Sequence, residues 1–176
     1  KSQQYRLLFP QVTLSKTRAR IDDWKTNQGG GFFSLGTGGS VEGHGAHGLI
    51  IDDPMTADDA DSMPVMTDLW NWYIRAARTR LMPGGWVLVI MQRWSPFDLA
   101  GQMDTLAEND PHADKYTVLR LPASAGDGDP MGRSRGEALW PAWYPLPTLY
   151  AIRAASHRHF DALFQQEPRS SDAALF

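Results

Sequence analysis

The chain is predicted to be an α/β protein, on three observations. An aliphatic stretch "LIID" (49–52) has the length and branching of a buried strand, and "MTDLWNWYIRAARTRL" (66–81) carries apolar residues at helical spacing. A second aliphatic strand, "WVLVIM" (86–91), follows Pro83-Gly84-Gly85. Strand, helix and strand with short connections form a βαβ unit, so the two strands are expected side by side and parallel. With 176 residues and 42% hydrophobic content, the chain can bury one sizeable core, and one domain is expected.

The elements follow in order. Residues 18–35 predict a hairpin, because β-formers flank Asn27-Gln28-Gly29-Gly30, which tolerates positive φ. Residues 36–48, "GTGGSVEGHGAHG", read as a glycine-rich loop ahead of the first buried strand. In the helix, Leu69, Tyr73, Ala77 and Leu81 share one face, with Arg75 and Arg78 elsewhere on the wheel. Beyond the second strand, "YTVLRLPA" (116–123) is a third strand candidate. Residues 124–137 carry turn chemistry and are expected as an exposed loop with almost no burial. Residues 147–166 are expected as a helix that docks Leu149, Ile152, Phe160, Leu163 and Phe164 on the sheet.

Composition narrows the function classes. A net charge of -3 argues against a uniformly basic protein that coats nucleic acid. The absence of Cys removes disulfides and thiolate metal sites together. The longest apolar run falls far short of a membrane span, and the first ten residues lack signal-peptide character, so a soluble intracellular protein is expected.

The stretch "GLIIDDPMTADDADS" (48–62) poses the chemical question, since a buried strand delivers two adjacent carboxylates to its tip. Ligands of parallel sheets bind beyond the carboxyl ends of the strands, which would group Asp52 and Asp53 with Gln92 and Arg93. Aliphatics followed by two acids match the Walker B arrangement. The first carboxylate serves the magnesium of a nucleotide and the second orients and deprotonates the attacking water. Gln92 is then placed to sense a γ-phosphate and Arg93 to neutralise transition-state charge. Two other readings use the same residues. Asp53-Pro54 could form a plain turn with Asp58, Asp59 and Asp61 serving the next helix. Alternatively, Asp52, Asp53 and the downstream acids could bind two cations as a metal-dependent phosphodiesterase or nuclease.

Other signals are weaker. Gly43 to Gly48 spell GxGxxG, but the strand comes after the glycines rather than before. Ser40 fails as a hydrolase elbow because Glu42 stands at the second glycine of GxSxG. His44 with His47, and His157 with His159, lack a third metal ligand at sensible spacing. Most tryptophans and methionines are expected in the core, and Arg133 and Arg135 on a solvated loop within reach of DNA phosphates.

An ordered set of motifs resembles the ATPase domain of the large terminase subunit of tailed bacteriophages. It comprises "LLFP" (7–10), "GTGGSVEGHGAHGLIIDDP" (36–54), "ADS" (60–62), "WY" then "TRLMPGG" (72–85), and "VLVIMQRWSPFDLAGQM" (87–103). The remaining pieces are "LPA" (121–123), "EALWPAW" (137–143) and "FDALFQQEP" (160–168). The resemblance implies a parallel sheet of the P-loop NTPase (ASCE) type with flanking helices, and ATP and Mg2+ as cofactors. It implies a motor that drives viral DNA into a procapsid in the host cytoplasm, working as a homo-oligomeric ring with double-stranded DNA, a small terminase subunit and the portal, without a membrane. Asp52 becomes the Walker B magnesium residue, holding the ion through water, and Asp53 the catalytic carboxylate. Gln92-Arg93-Trp94 becomes the coupling motif, with Gln92 where the family commonly has Thr, and His44 stands where its glycine loop commonly has Arg.

No GxxxxGK followed by Ser or Thr occurs in the chain. Lys1-Ser2 is an unsuitable remnant of one, because Pro10 interrupts the helix that would follow. Residues 1–176 are thus expected to be the second half of a terminase ATPase domain, ending at "SSDAALF" without the nuclease domain, and hydrolysing little or nothing alone. A catalytically inactive prophage remnant is the third expectation.

Overall fold

The computed structural model describes residues 2–39, 41 and 43–169. Ser40 and Glu42 of the rejected elbow, Lys1, and the terminal 170–176 lie outside the described residues. The chain forms two compact units, dividing after residue 40.

The first unit opens with helix α1 (Gln3–Leu8), whose Tyr5 N–H donates to the Ser2 hydroxyl at its N-cap. It continues as an antiparallel three-stranded sheet in the order β1 (Leu14–Ala19), β2 (Asp23–Thr26), β3 (Gly31–Phe33). The expected hairpin is β2–β3, with Asp23 opposite Phe33 and Trp24 stacked on Phe32 at 5.5 Å. Gly29 takes φ +84° in its turn. β1 was not anticipated. Asn27 fastens it, accepting from Thr13 N–H at 2.8 Å and donating from its own N–H to Thr13 C=O at 2.9 Å.

The second unit holds the βαβ unit. β4 (Ala46–Asp52) and β5 (Leu81–Ile90) pair in parallel, with Ile50 opposite Leu88, Ile51 opposite Val89 and Asp52 opposite Ile90. Both are joined through helix α2 (Met63–Trp72), which runs on through a π turn (Tyr73–Ala77) and a 3-10 turn (Arg78–Arg80). Met66, Leu69, Tyr73 and Ala77 form its buried stripe at spacings of three and four, and pack with Ile51, Met55, Leu99 and Met103. Fully burying side chains of this size contributes roughly 1.5–3 kcal/mol each.

The helix stops at Arg80, earlier than expected. Pro83 disfavours helical backbone in the residue before it, and Leu81 already begins β5. Pro83-Gly84-Gly85 therefore lies inside the strand as an irregularity, with Gly84 at φ +77°, between the Ala46–Leu81 and Gly48–Trp86 pairs. Gly48 is required by contact, since a Cβ there would stand 2.4 Å from the Trp86 indole.

Three expectations are corrected. Residues 116–123 form no strand and pair with none among the described residues, and in this region only Ser124 bridges to Ala138. Their apolar pattern alone cannot make a ladder, and a groove separates 115–120 from β5. The C-terminal helix is broken at Ser156 (φ -159°, ψ 103°) into α4 (Leu146–Ala155) and α5 (His157–His159), followed by a π turn (Phe160–Phe164). Its Leu149, Phe160, Ile152 and Phe164 build a separate cluster with Ala138 and Ala123 rather than docking on the sheet. Finally, the 124–137 loop is not all solvated. Arg133 pairs with Asp129 at 2.6 Å, their side chains 7% and 0% exposed, and donates to Pro122 C=O at 2.9 Å. Of the two arginines, only Arg135, paired with Asp127, is open to solvent.

Tryptophan placement is mixed. Trp70, Trp72 and Trp94 pack on the main core, whereas Trp86, Trp140 and Trp143 are exposed. Among the described residues, no helix is long and apolar enough to cross a membrane.

Candidate functional site

β4 and β5 end together, and this brings three of the four expected site residues to one edge. Asp53 N–H donates to Ile90 C=O at 2.8 Å, extending the ladder by one rung past Asp52. Gln92 N–H then donates to Asp53 Oδ1 at 3.2 Å, which joins the acidic doublet to the neighbouring strand tip. Asp52, Asp53 and Gln92 are all exposed.

Asp53 has φ +39°, a left-handed backbone rare outside glycine, although Asp tolerates it better than most residues. Pro54 adds to the strain, because the residue before proline is normally extended. The bond to Gln92 N–H holds the carboxylate in this turn. Such outliers persist only where the surroundings over-determine them, and they concentrate at functional sites.

Arg93 is held elsewhere. Its Nε donates to both carboxylate oxygens of Asp98, at 3.1 and 3.0 Å, and its Nη2 donates to Ser95 C=O at 3.4 Å. Asp98 is the centre of this arrangement and was missed at the level of sequence, where it stood only within "DLAGQM". Its carboxylate is fully buried and also accepts from Trp94 N–H (2.9 Å), Ser95 N–H (3.2 Å) and Gly101 N–H (2.9 Å). The last bond caps helix α3 (Leu99–Asn109). An Asp directly before an apolar helical segment is an N-cap signal that could have found it.

The downstream acids do not converge on the doublet. Asp59 accepts from both Thr56 N–H and its hydroxyl, at 2.9 and 2.8 Å, and these bonds hold its carboxyl below the usual carboxylate value. Asp61 pairs with Arg158. Thus Asp59 serves the short turn at 57–59 rather than α2 itself. Among the described residues, no three His, Asp or Glu side chains are grouped to hold a metal ion. The donor set suits a different demand. Magnesium in nucleotide sites keeps several waters and needs only one or two carboxylates beside the phosphates, and the exposed Asp52 carboxylate stands at the edge with no hydrogen-bond or ion-pair partner among the described residues.

Compared with protein-family models, curated proteins and solved structures, the chain matches none. The class that fold and site define is therefore a mixed α/β protein with a small parallel two-stranded sheet, whose strand tips present an acidic doublet beside a glutamine.

Proposed function

We propose that the chain is the Walker B and coupling-motif part of a P-loop-type ATPase, the motor of a large terminase subunit that packages viral DNA. The observation that carries this reading is the Gln92 N–H bond to the Asp53 carboxylate, because it ties the candidate catalytic acid to the strand tip that would report on the nucleotide.

In this reading Asp52 holds Mg2+ through water, and the ion, when bound with ATP, screens the phosphate charge. Asp53 orients and deprotonates the attacking water from its strained turn. Gln92 senses the γ-phosphate through its side chain while its backbone fixes Asp53, so a change at one is transmitted to the other. Arg93 acts as a positioning residue. Its ion pair with Asp98 anchors the turn that carries Gln92 to the start of α3, in place of the direct charge neutralisation expected from sequence. In this reading the motor as a whole engages double-stranded DNA, the small subunit, the portal and its ring partners, with the host cytoplasm as the setting.

The test is ATP turnover in a chain extended upstream through a phosphate loop. Asp53→Asn should reduce turnover at least about 100-fold while nucleotide binding persists, the scale expected for loss of a catalytic base. Undiminished turnover removes Asp53 from the role.

A further inference from the structure

A regular α-helix sets residues five apart about 140° from one another. The π turn of α2 undoes this for Tyr73 and Arg78. The Arg78 N–H donates to Tyr73 C=O across the turn, and both side chains line one cavity. Single π turns of this kind recur at functional sites. The cavity measures about 80 Å³ and lies between α2, α3 and residues 114–116. Trp70, Met103 and Leu106 supply its apolar wall. Ile74 and Leu106, 39% and 43% exposed, give it an approach from solvent.

The polar wall is Tyr73, Tyr116, Arg78 and Asp114, and its hydrogen bonds can be counted. The two tyrosine hydroxyls meet at 2.9 Å. Together they bring two protons, and one fills the bond between them. The second has no acceptor among the described residues, so the cavity keeps an O–H donor. Burial raises both tyrosine pKa values, which keeps the hydroxyls protonated. The Asp114 carboxylate accepts from Arg78 Nε and Nη2, one bond on each oxygen, at 2.5 and 2.9 Å. Each oxygen retains a lone pair, so the cavity also keeps an acceptor. Because Arg78 and Asp114 neutralise each other, no net charge is left to hold an ion.

Size narrows the ligand further. A cavity of roughly 150 Å³ takes benzene, and drug-sized ligands fill about 300 Å³ or more. Proportionately, this one takes about three or four heavy atoms.

We propose that the cavity binds the amide end of a small acylated amine. The carbonyl accepts the spare tyrosine proton, the amide N–H donates to Asp114, and the acyl methyl packs on Trp70 and Met103. The rest of the molecule leaves past Ile74 and Leu106. None of these residues belongs to the edge of Asp52, Asp53 and Gln92, so the proposal is independent of the ATPase reading.

The test is titration of N-methylacetamide into the 176-residue chain carrying carbon-13-labelled methionine methyls, followed by NMR. The Met103 resonance should shift saturably in the millimolar range. Met55, buried in the same core but not lining the cavity, should stay in place. Acetate, similar in shape but charged, should bind at least about tenfold more weakly, because Asp114 repels it and burial strips its hydration. Tyr73→Phe and Tyr116→Phe each leave one O–H, so either alone should keep the affinity within about threefold. The two together should lose at least about tenfold, since the carbonyl is then buried without a donor. No saturable shift at Met103, equal binding of acetate, or undiminished binding by the double variant overturns the proposal. N-acetylglucosamine and Nε-acetyllysine distinguish a sugar from an amino acid as the carrier. The carrier should bind tighter than N-methylacetamide, and weaker binding of both overturns the acylated-amine assignment.

Discussion

Gln92 and Asp53 lie 39 positions apart in sequence, yet the N–H of one donates to the carboxylate of the other at 3.2 Å. This bond exists because β4 and β5 are parallel and in register to their last residues, so that both chains leave the sheet at the same level. It turns two loosely specified strand tips into one small structure, with the backbone of Asp53 paying a conformational cost.

That cost is measurable. Asp53→Val should destabilise the chain by about 1–3 kcal/mol in urea unfolding, since a β-branched residue cannot rest at φ +39°. Asp53→Gly should remain near wild type or gain, because glycine relieves the strain while losing one hydrogen bond. A valine variant as stable as wild type would mean that the turn is not strained.

Asp98 is expected to be the most sensitive polar position in the second unit. Asp98→Ala removes the α3 cap and leaves the largely buried Arg93 guanidinium without its carboxylate partner, at a cost of about 3–5 kcal/mol in the same assay. Changing Arg93→Lys should recover little of the native stability, because an ammonium has no Nε in the guanidinium plane to face both carboxylate oxygens. A loss below about 0.5 kcal/mol in Asp98→Ala would contradict this.

Gly101 should tolerate no side chain. A Cβ there would stand 2.0 Å from the Pro96 carbonyl oxygen and 3.0 Å from Arg93 Nη2. Gly101→Ala is expected to cost at least about 1–3 kcal/mol, the range for forced overpacking, despite alanine's better helix propensity. Equal or higher thermal stability would refute the close approach.

The Asp129–Arg133 pair predicts an acid limb to stability. Hydrogen bonds from Arg133 hold the Asp129 carboxyl below its ordinary value of 3.8. A carboxyl whose folded pKa is depressed stabilises above its unfolded pKa, and that contribution is lost as pH falls through the folded value. Wild type should therefore lose more stability than Asp129→Asn between about pH 4 and pH 2 in denaturant titrations. Parallel acid profiles would contradict the assignment.

Tyr73 and Tyr116 set the alkaline limb. Their hydroxyls meet at 2.9 Å, and burial, with the shared hydrogen bond, raises the Tyr73 pKa well above the ordinary 10.0. Burial also raises Tyr116. Because both folded values are raised, the stabilisation is present below about pH 10 and declines as pH rises further. Absorbance titration of the native chain should show two of the five tyrosines ionising last, and Tyr73→Phe should remove one of these late steps.

The sequence by itself determined the βαβ unit, the parallel sense of its strands, the stripe of Leu69, Tyr73 and Ala77, and the edge at which Asp52, Asp53 and Gln92 meet. These follow from local periodicity and from the handedness of short crossovers, which act over a few residues and survive in a one-dimensional reading. Only the tertiary structure decided what each polar group faces. It tied Arg93 to Asp98, buried Arg133 against Asp129, sent Asp59 to Thr56 and Asp61 to Arg158, and left 116–123 without a strand assignment. The physical reason is that a strand needs a neighbour and a charge needs a partner, and both are set by which distant segments fold together rather than by the residues alongside.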